Sequence, residues 1–193
     1  MTGKETGEPG RARRREVLGG GAALLITGGC ANGVGSTAGS VIDSRVESTK
    51  SFLFSTYPGA AELGGKARGI LWMPLMTKAG FFVGGAYGEG ALRIDEATVD
   101  YYSAATGSFG FQIGAQQFAH ALFFLTDDAL NGFRTASGWT LGADAEFAVP
   151  DQGGSISASS LTTSKPVVAV VYGQSGLLIG ASLAGTKYTR IIR

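Results

Sequence analysis

The sequence has few of the residues from which most metal and catalytic sites are built. Its 193 residues include one histidine and one cysteine, too few for a zinc site of the usual cysteine and histidine type. His120 lies within the apolar run 118–125, which favours a packing role for it. We therefore expect no metal, no cofactor and no enzymatic activity.

Proline is scarce and charge is low, whereas glycine is abundant. The chain has five prolines, 16% charged residues and 32 glycines, and the glycines follow no three-residue period. This composition excludes a collagen-like chain and a disordered linker. With 44% apolar residues, the sequence predicts a folded domain whose glycines serve bulges, bends or close backbone approach.

The chain beyond Cys30 has no basic excess of the kind that nucleic-acid binding requires. Residues 30–193 carry eleven basic and twelve acidic side chains, and no run of lysine and arginine alternates with aromatic residues. Nucleic acid is therefore not expected as a partner.

No stretch of the sequence matches a common catalytic motif. Residues 173–177 lack the last glycine of Gly-x-Ser-x-Gly, and residues 84–90 match neither the dinucleotide fingerprint nor the phosphate-binding loop. A hydrolase would have to use dispersed carboxylates, and it is the least supported of three functional hypotheses. These carboxylates are Glu89, Asp95, Glu96, Asp144 and Glu146.

Residues 1–29 have the pattern of an export signal. Basic residues precede the apolar stretch 17–26, which is too short to cross a bilayer, since spanning needs about 20 residues. Arg14 and Arg15, together with the residues that follow them, resemble a twin-arginine export motif. The alternative is an ordinary secretory leader whose basic start contains adjacent arginines.

Cys30 follows two glycines, as in the lipid-attachment sites of bacterial lipoproteins. We predict cleavage before Cys30, lipidation of its thiol and a short tether over residues 30–40. Thr27 departs from the aliphatic residue that this pattern favours, and the alternative is an unmodified thiol. Ala31 replaces the aspartate that commonly retains lipoproteins at the inner membrane. The favoured location is therefore the periplasmic leaflet of the outer membrane.

Helical periodicity begins at residue 41. Residues 41–57 repeat apolar side chains at helical spacing and end before Pro58, and residues 60–67 predict a short second helix. Thr126 is predicted to cap a third helix, whose first turn contains Asp127.

Alternation with a period of two predicts half-buried antiparallel strands in the rest of the domain. The predicted fold class is α+β: a curved, glycine-rich antiparallel sheet, open or closed into a barrel, with an N-terminal amphipathic helix and short helices packed on it. The alternating segments are 81–88, 108–115 and 139–147, and a hairpin is predicted around 173–176.

Several motifs occur in a fixed order along the chain. They are Lys78–Gly90, Gly110–Gln116, Thr126–Leu130 and Gly176–Gly185. Together they resemble the SYLF-domain family over residues 41–193, and the resemblance implies a non-catalytic, lipid-binding module. Eukaryotic members bind phosphoinositide membranes, partly through an amphipathic segment near the start of the domain, and some bind actin. Bacterial members are typically small envelope proteins.

The resemblance implies membrane contact through the first helix and the nearest cations. The candidate lipid-binding residues are Lys50, Phe52, Lys66, Arg68 and Lys78. Each Lys or Arg near an anionic surface contributes about 1 kcal/mol, and acids balance the few cations here. We therefore expect modest headgroup selectivity. The alternative is that the helix only packs on the sheet and leaves its cations in solvent.

Two functional hypotheses follow. The first is a membrane-anchored envelope lipoprotein whose domain binds phospholipid membranes. The second is a structural or protein-interaction module of the cell envelope, with an unidentified protein partner, which only the lipid anchor holds at the membrane.

Overall fold

The computed structural model describes residues 37–81, 83–109, 114–142, 145–148, 165–173 and 183–193. Its helices are α1 (Ala38–Thr56), α2 (Pro58–Lys66) and α3 (Asp127–Thr135). Its strands are β1 (Gly69–Phe81), β2 (Val83–Ile94), β3 (Ala97–Phe109), β4 (Gly114–Phe124), β5 (Trp139–Thr140), β6 (Ala145–Ala148), β7 (Val167–Tyr172) and β8 (Lys187–Ile191). Arg14, Arg15, Cys30 and the predicted turn beyond Gly173 lie outside the described residues.

The three predicted helices are confirmed. Pro58 starts α2, where its missing N–H is harmless, and it prevents α1 from continuing. The Thr126 side chain accepts a hydrogen bond from the Ala129 backbone N–H at 3.2 Å and so caps α3. α1 begins at Ala38, so the last residues of the predicted tether are helical.

The sheet curls strongly. Its strand order in the described part is β5-β8-β3-β2-β1-β4-β7-β6, yet the two edge strands are close in sequence, because β5 ends at Thr140 and β6 begins at Ala145. Five residue steps span at most about 18 Å, whereas eight flat strands would measure about 34 Å across. The edges must therefore approach each other, and the predicted curved α+β fold is confirmed.

Both faces of the sheet are covered. β7 is buried at all six positions, so its sequence Val-Val-Ala-Val-Val-Tyr is continuously apolar rather than alternating. One face packs against α1 and α2, with Trp72, Phe123 and Tyr172 in its core. The other face packs against α3 and encloses the larger core, which contains Phe124 and Phe133.

A bulge in β1 explains why β2 contains glycine. The pairing register with β2 shifts between Trp72 and Leu75, around Pro74, which has no N–H to donate to the ladder. A Cβ on Gly90 would lie 1.9 Å from the Trp72 carbonyl oxygen, and one on Gly88 would lie 2.3 Å from the Leu75 carbonyl oxygen. Only glycine fits at these two positions. This agrees with the prediction that glycines serve bulges and close backbone approach.

The bounds of three predicted strands are wrong. Segment 81–88 contains a chain reversal, because β1 ends at Phe81 and β2 begins at Val83. Segment 108–115 spans the end of β3 and the start of β4. Segment 139–147 is divided between β5 and β6 at opposite edges, and β6 pairs in parallel with β7. Alternation continues on both sides of a reversal, so a period of two does not reveal where the chain turns.

Candidate functional site

The candidate site is built around α1, whose side chains point in different directions at about 100° per residue. Ile42, Val46 and Leu53 face the sheet and are buried. Positions 43, 47, 50 and 54 lie on one side of this buried stripe, which we call the polar flank. Positions 49 and 52 lie on the other side, which we call the aromatic flank.

The polar flank is bonded to β2, β3 and the turn between them. Asp43 accepts hydrogen bonds from the Thr98 hydroxyl at 2.8 Å and from the Tyr101 hydroxyl at 2.7 Å. Arg93 Nη1 donates to Glu47 Oε2 at 2.5 Å, and Lys50 Nζ donates to Glu96 Oε2 at 2.5 Å. These contacts fasten α1 along one edge.

These bonds also change the acidity of the groups that make them. Burial, followed by the hydrogen bond to Asp43, raises the pKa of Tyr101 to about 12. The hydrogen bond from Lys50 holds the pKa of Glu96 below its ordinary value. Both shifts favour the charge states that the bonds need at neutral pH.

A cleft of about 370 Å³ opens between α1, α2 and the β1–β2 ladder, and we call it the polar cleft. Its lining includes two cations, Lys50 and Arg93, and two acids, Asp95 and Glu96. Its apolar lining includes Phe54 and Trp72, whose ring centroids are 5.4 Å apart in an edge-to-face arrangement.

A smaller groove of about 250 Å³ lies beside the aromatic flank, and we call it the aromatic groove. Phe52 stacks on Tyr172 with ring centroids 6.4 Å apart, and the bulge residues Pro74 and Leu75 form part of the lining. The Tyr172 hydroxyl is buried without a hydrogen-bond partner in the described part of the chain. Burial raises its pKa, so the hydroxyl stays protonated.

The five predicted lipid-binding residues do not form one patch. Lys50 and Phe52 are about 200° apart on α1 and line different depressions. Lys66 ends α2 next to the polar cleft. Arg68 faces Asp127 at 3.8 Å, and both side chains are largely exposed. Lys78 lies ten residues beyond Arg68 towards the far end of β1, about 30 Å away by strand rise.

Sequence reasoning missed some residues of the site. Arg93 was not predicted, although its side chain is 10% exposed and it pairs with Glu47, 46 positions away in the chain. Arg45 was not among the predicted lipid-binding residues either, yet it is exposed and no ion pair holds it within the described residues. The spacing of Asp43, Glu47 and Lys50 was the available signal for a flank that pairs with the sheet.

Other titratable residues serve the structure. His120 is fully buried, its Nε2 lies 2.8 Å from the Tyr188 hydroxyl, and burial lowers its pKa to about 3. Glu89 is bonded to Tyr87 and Arg193. Burial opposes the ionisation of Glu89, but these bonds outweigh it, and the pKa is lowered. Asp144 lies outside the described residues.

Among the described residues, no group of three or more metal-ligating side chains is placed to hold an ion. None of the helices described is both long and apolar enough to span a bilayer.

Comparison with known families gives one match. Residues 105–190 match the family model described as Ysc84, Las17-binding protein actin regulator. The match covers the end of β3 through most of β8, and it confirms the SYLF resemblance that the motifs carry. The Lys78–Gly90 motif and α1 precede the matched residues. No curated protein matches the chain.

Proposed function

Because residues 105–190 belong to the SYLF (Ysc84) family, we propose that this chain is a non-catalytic phospholipid-binding protein of the bacterial cell envelope. The family match is the observation that carries the proposal. The absence of a recognisable catalytic motif in the sequence agrees with a binding role, and the near-neutral charge of residues 30–193 agrees with binding that is not dominated by electrostatics.

The membrane-contacting surface we propose is the outward side of α1. Val41 and Phe52 are 46% and 47% exposed, and they project to the same side because eleven residues complete about three turns. Arg45 lies on this side too and is exposed. Inserting two apolar side chains beside one cation gives weak, reversible contact with lipid headgroups.

The anchor we propose is a lipid on Cys30. Each buried methylene contributes about 0.8 kcal/mol, so two or three acyl chains hold a protein firmly. The role of α1 is then to orient a domain that is already tethered. Mass spectrometry of protein extracted from membranes tests this step. Acyl chains on a mature N-terminus at Cys30 support it, and an unacylated chain overturns it.

Vesicle flotation of the full chain with Cys30→Ser tests the domain. We expect partial flotation with phospholipid vesicles and a several-fold loss with Phe52→Ser. Val99→Ser is the matched control, since Val99 is also an exposed apolar residue but lies on β3. No flotation with any vesicle composition contradicts the proposal, and so does an equal loss in both variants.

The second candidate is a protein-interaction module. It is favoured by the matching family, which is described as a Las17-binding protein and actin regulator. If this is the function, crosslinking in cells yields a defined envelope protein that stays bound after delipidation. The Cys30→Ser protein does not float with vesicles in that case.

A further inference from the structure

Arg93 lines the polar cleft, and it has a hydrogen-bond donor that the described part of the protein leaves unused. Arg93 is 10% exposed, and its Nη1 is bonded to Glu47. Its Nε is buried and has no hydrogen-bond partner among the described residues. An unsatisfied buried donor is costly, so an acceptor atom that reaches Arg93 Nε is stabilised there.

Lys50 adds donors to the same cleft. Its side chain is 20% exposed, and its ammonium group is bonded to Glu96. An ammonium group has three N–H donors, so this bond leaves others for a ligand. Two cations that share one cleft favour an oxyanion such as a phosphate, which accepts several hydrogen bonds.

The acidic residues of the cleft make a simple anion an unfavourable ligand. Asp95 and Glu96 form the turn between β2 and β3 and line the same cleft. Asp95 has no ion pair in the part of the chain that the structure describes. A simple anion gains little from a balanced set of two cations and two carboxylates. A ligand that carries a phosphate and an ammonium group can pair with both.

The walls of the cleft fit the ammonium end of such a ligand. Phe54 provides aromatic surface, with the buried Trp72 ring packed edge-to-face against it, and a cation near an aromatic face is attracted by the ring quadrupole. Gly64 lets Phe54 pack closely, because a Cβ there would lie 2.7 Å from Phe54 Cζ. The volume of about 370 Å³ is within the range of small-molecule sites.

We propose that the polar cleft binds a zwitterionic phosphate ester, the chemistry of a phosphatidylethanolamine headgroup. The phosphate oxygens accept from the Arg93 guanidinium group and from Lys50 Nζ. The ammonium group lies beside Asp95 and Glu96 and against Phe54. This inference deepens the proposed function and depends on it only for the lipid source, because the free headgroup has the same chemistry.

A large side chain at Gly65 is the substitution chosen to block the cleft, and the same substitution at Gly132 is its matched control. A Cβ on Gly65, which lines the cleft, would meet nothing within 4 Å, and the same holds for Gly132 on α3, which does not line it. Full-length Cys30→Ser protein is titrated with glycerophosphoethanolamine, and the Trp72 indole and Gly64 amide are followed by NMR. We expect saturable shifts at both groups and at least tenfold weaker binding with Gly65→Phe, but not with Gly132→Phe.

Vesicle flotation of the same proteins separates the two sources of the headgroup. Preference for phosphatidylethanolamine over phosphatidylglycerol, lost with Gly65→Phe, assigns the cleft to membrane lipid. Saturable binding of the soluble headgroup without any flotation supports the cleft but overturns the proposed membrane function. Absence of shifts at Trp72 and Gly64, equal effects of the two glycine variants, or equally tight binding of inorganic phosphate overturns the inference.

Discussion

The two flanks of α1 are held to the same sheet by different means. On the polar flank, Asp43, Glu47 and Lys50 bond to β2, β3 and their turn. On the aromatic flank, Phe52 stacks on Tyr172 and stays about half exposed. The charged side chains of the helix are thus largely used within the domain, whereas an apolar one stays accessible. A charged helix position is therefore a poor guide to membrane contact when a sheet lies beside it.

The largest expected effect comes from the buried stripe between the flanks. Leu53 is fully buried, and Leu53→Ala is expected to lower the free energy of unfolding by about 2–5 kcal/mol, because it removes buried methyl groups and leaves a cavity. Phe52→Ala, one residue away and half exposed, is expected to cost less than about 1 kcal/mol. Urea denaturation measures both. If the two variants lose the same free energy of unfolding, the description of position 53 as buried and position 52 as half exposed is wrong.

The pH dependence of stability tests whether a core residue, His120, or the polar flank makes the fold sensitive to acid. The pKa of His120 is about 3 in the folded protein and about 6.5 in an unfolded chain. The unfolded state therefore takes up a proton first as pH falls below 6.5. Stability is expected to fall by about 1.4 kcal/mol per pH unit between about pH 6 and pH 3.

His120→Gln keeps a neutral, polar side chain next to Tyr188 and removes this titration. The variant is expected to lose less stability than wild type between pH 7 and pH 4.5, as thermal denaturation at each pH will show. If the two proteins have the same pH dependence, the titration of His120 is not its cause.

The bonds of Asp43 test the polar flank directly. Asp43→Asn replaces a carboxylate that accepts from two hydroxyls, and it is expected to cost about 1–3 kcal/mol. The pKa of Tyr101 is expected to fall below 12, although burial keeps it raised. NMR titration of Tyr101 measures the second effect. An unchanged Tyr101 pKa shows that Asp43 does not bond to it in solution.

The smallest effect is expected at the rim of the polar flank. The Glu96 side chain is 79% exposed, and exposed ion pairs contribute about 0–1 kcal/mol. Glu96→Gln is therefore expected to leave the denaturation midpoint nearly unchanged at 0.15 M salt. A loss comparable with that of Asp43→Asn means that the whole flank acts as one network.

Much of the fold could be predicted because the signals are local. The buried spacing of Ile42, Val46 and Leu53, the start of α2 at Pro58 and the Thr126 cap each depend on neighbours within a few turns. The strand bounds could not be predicted, because alternation continues through the reversal between Phe81 and Val83. For the site, sequence and family resemblance named Lys50 and Phe52 but could not show that they line different depressions.

The sequence by itself determined the helices, the apolar strand interiors, the glycine-dependent close packing and the family resemblance, since each depends on residue type and short-range order. The tertiary structure alone decided the curl of the sheet, because it arises from the pairing of β5 and β6 with opposite edges. It also decided the polar cleft. Arg93 meets Glu47, and Lys50 meets Glu96, across 46 residues in each case. No local pattern encodes such contacts, because they exist only once α1 lies on the folded sheet.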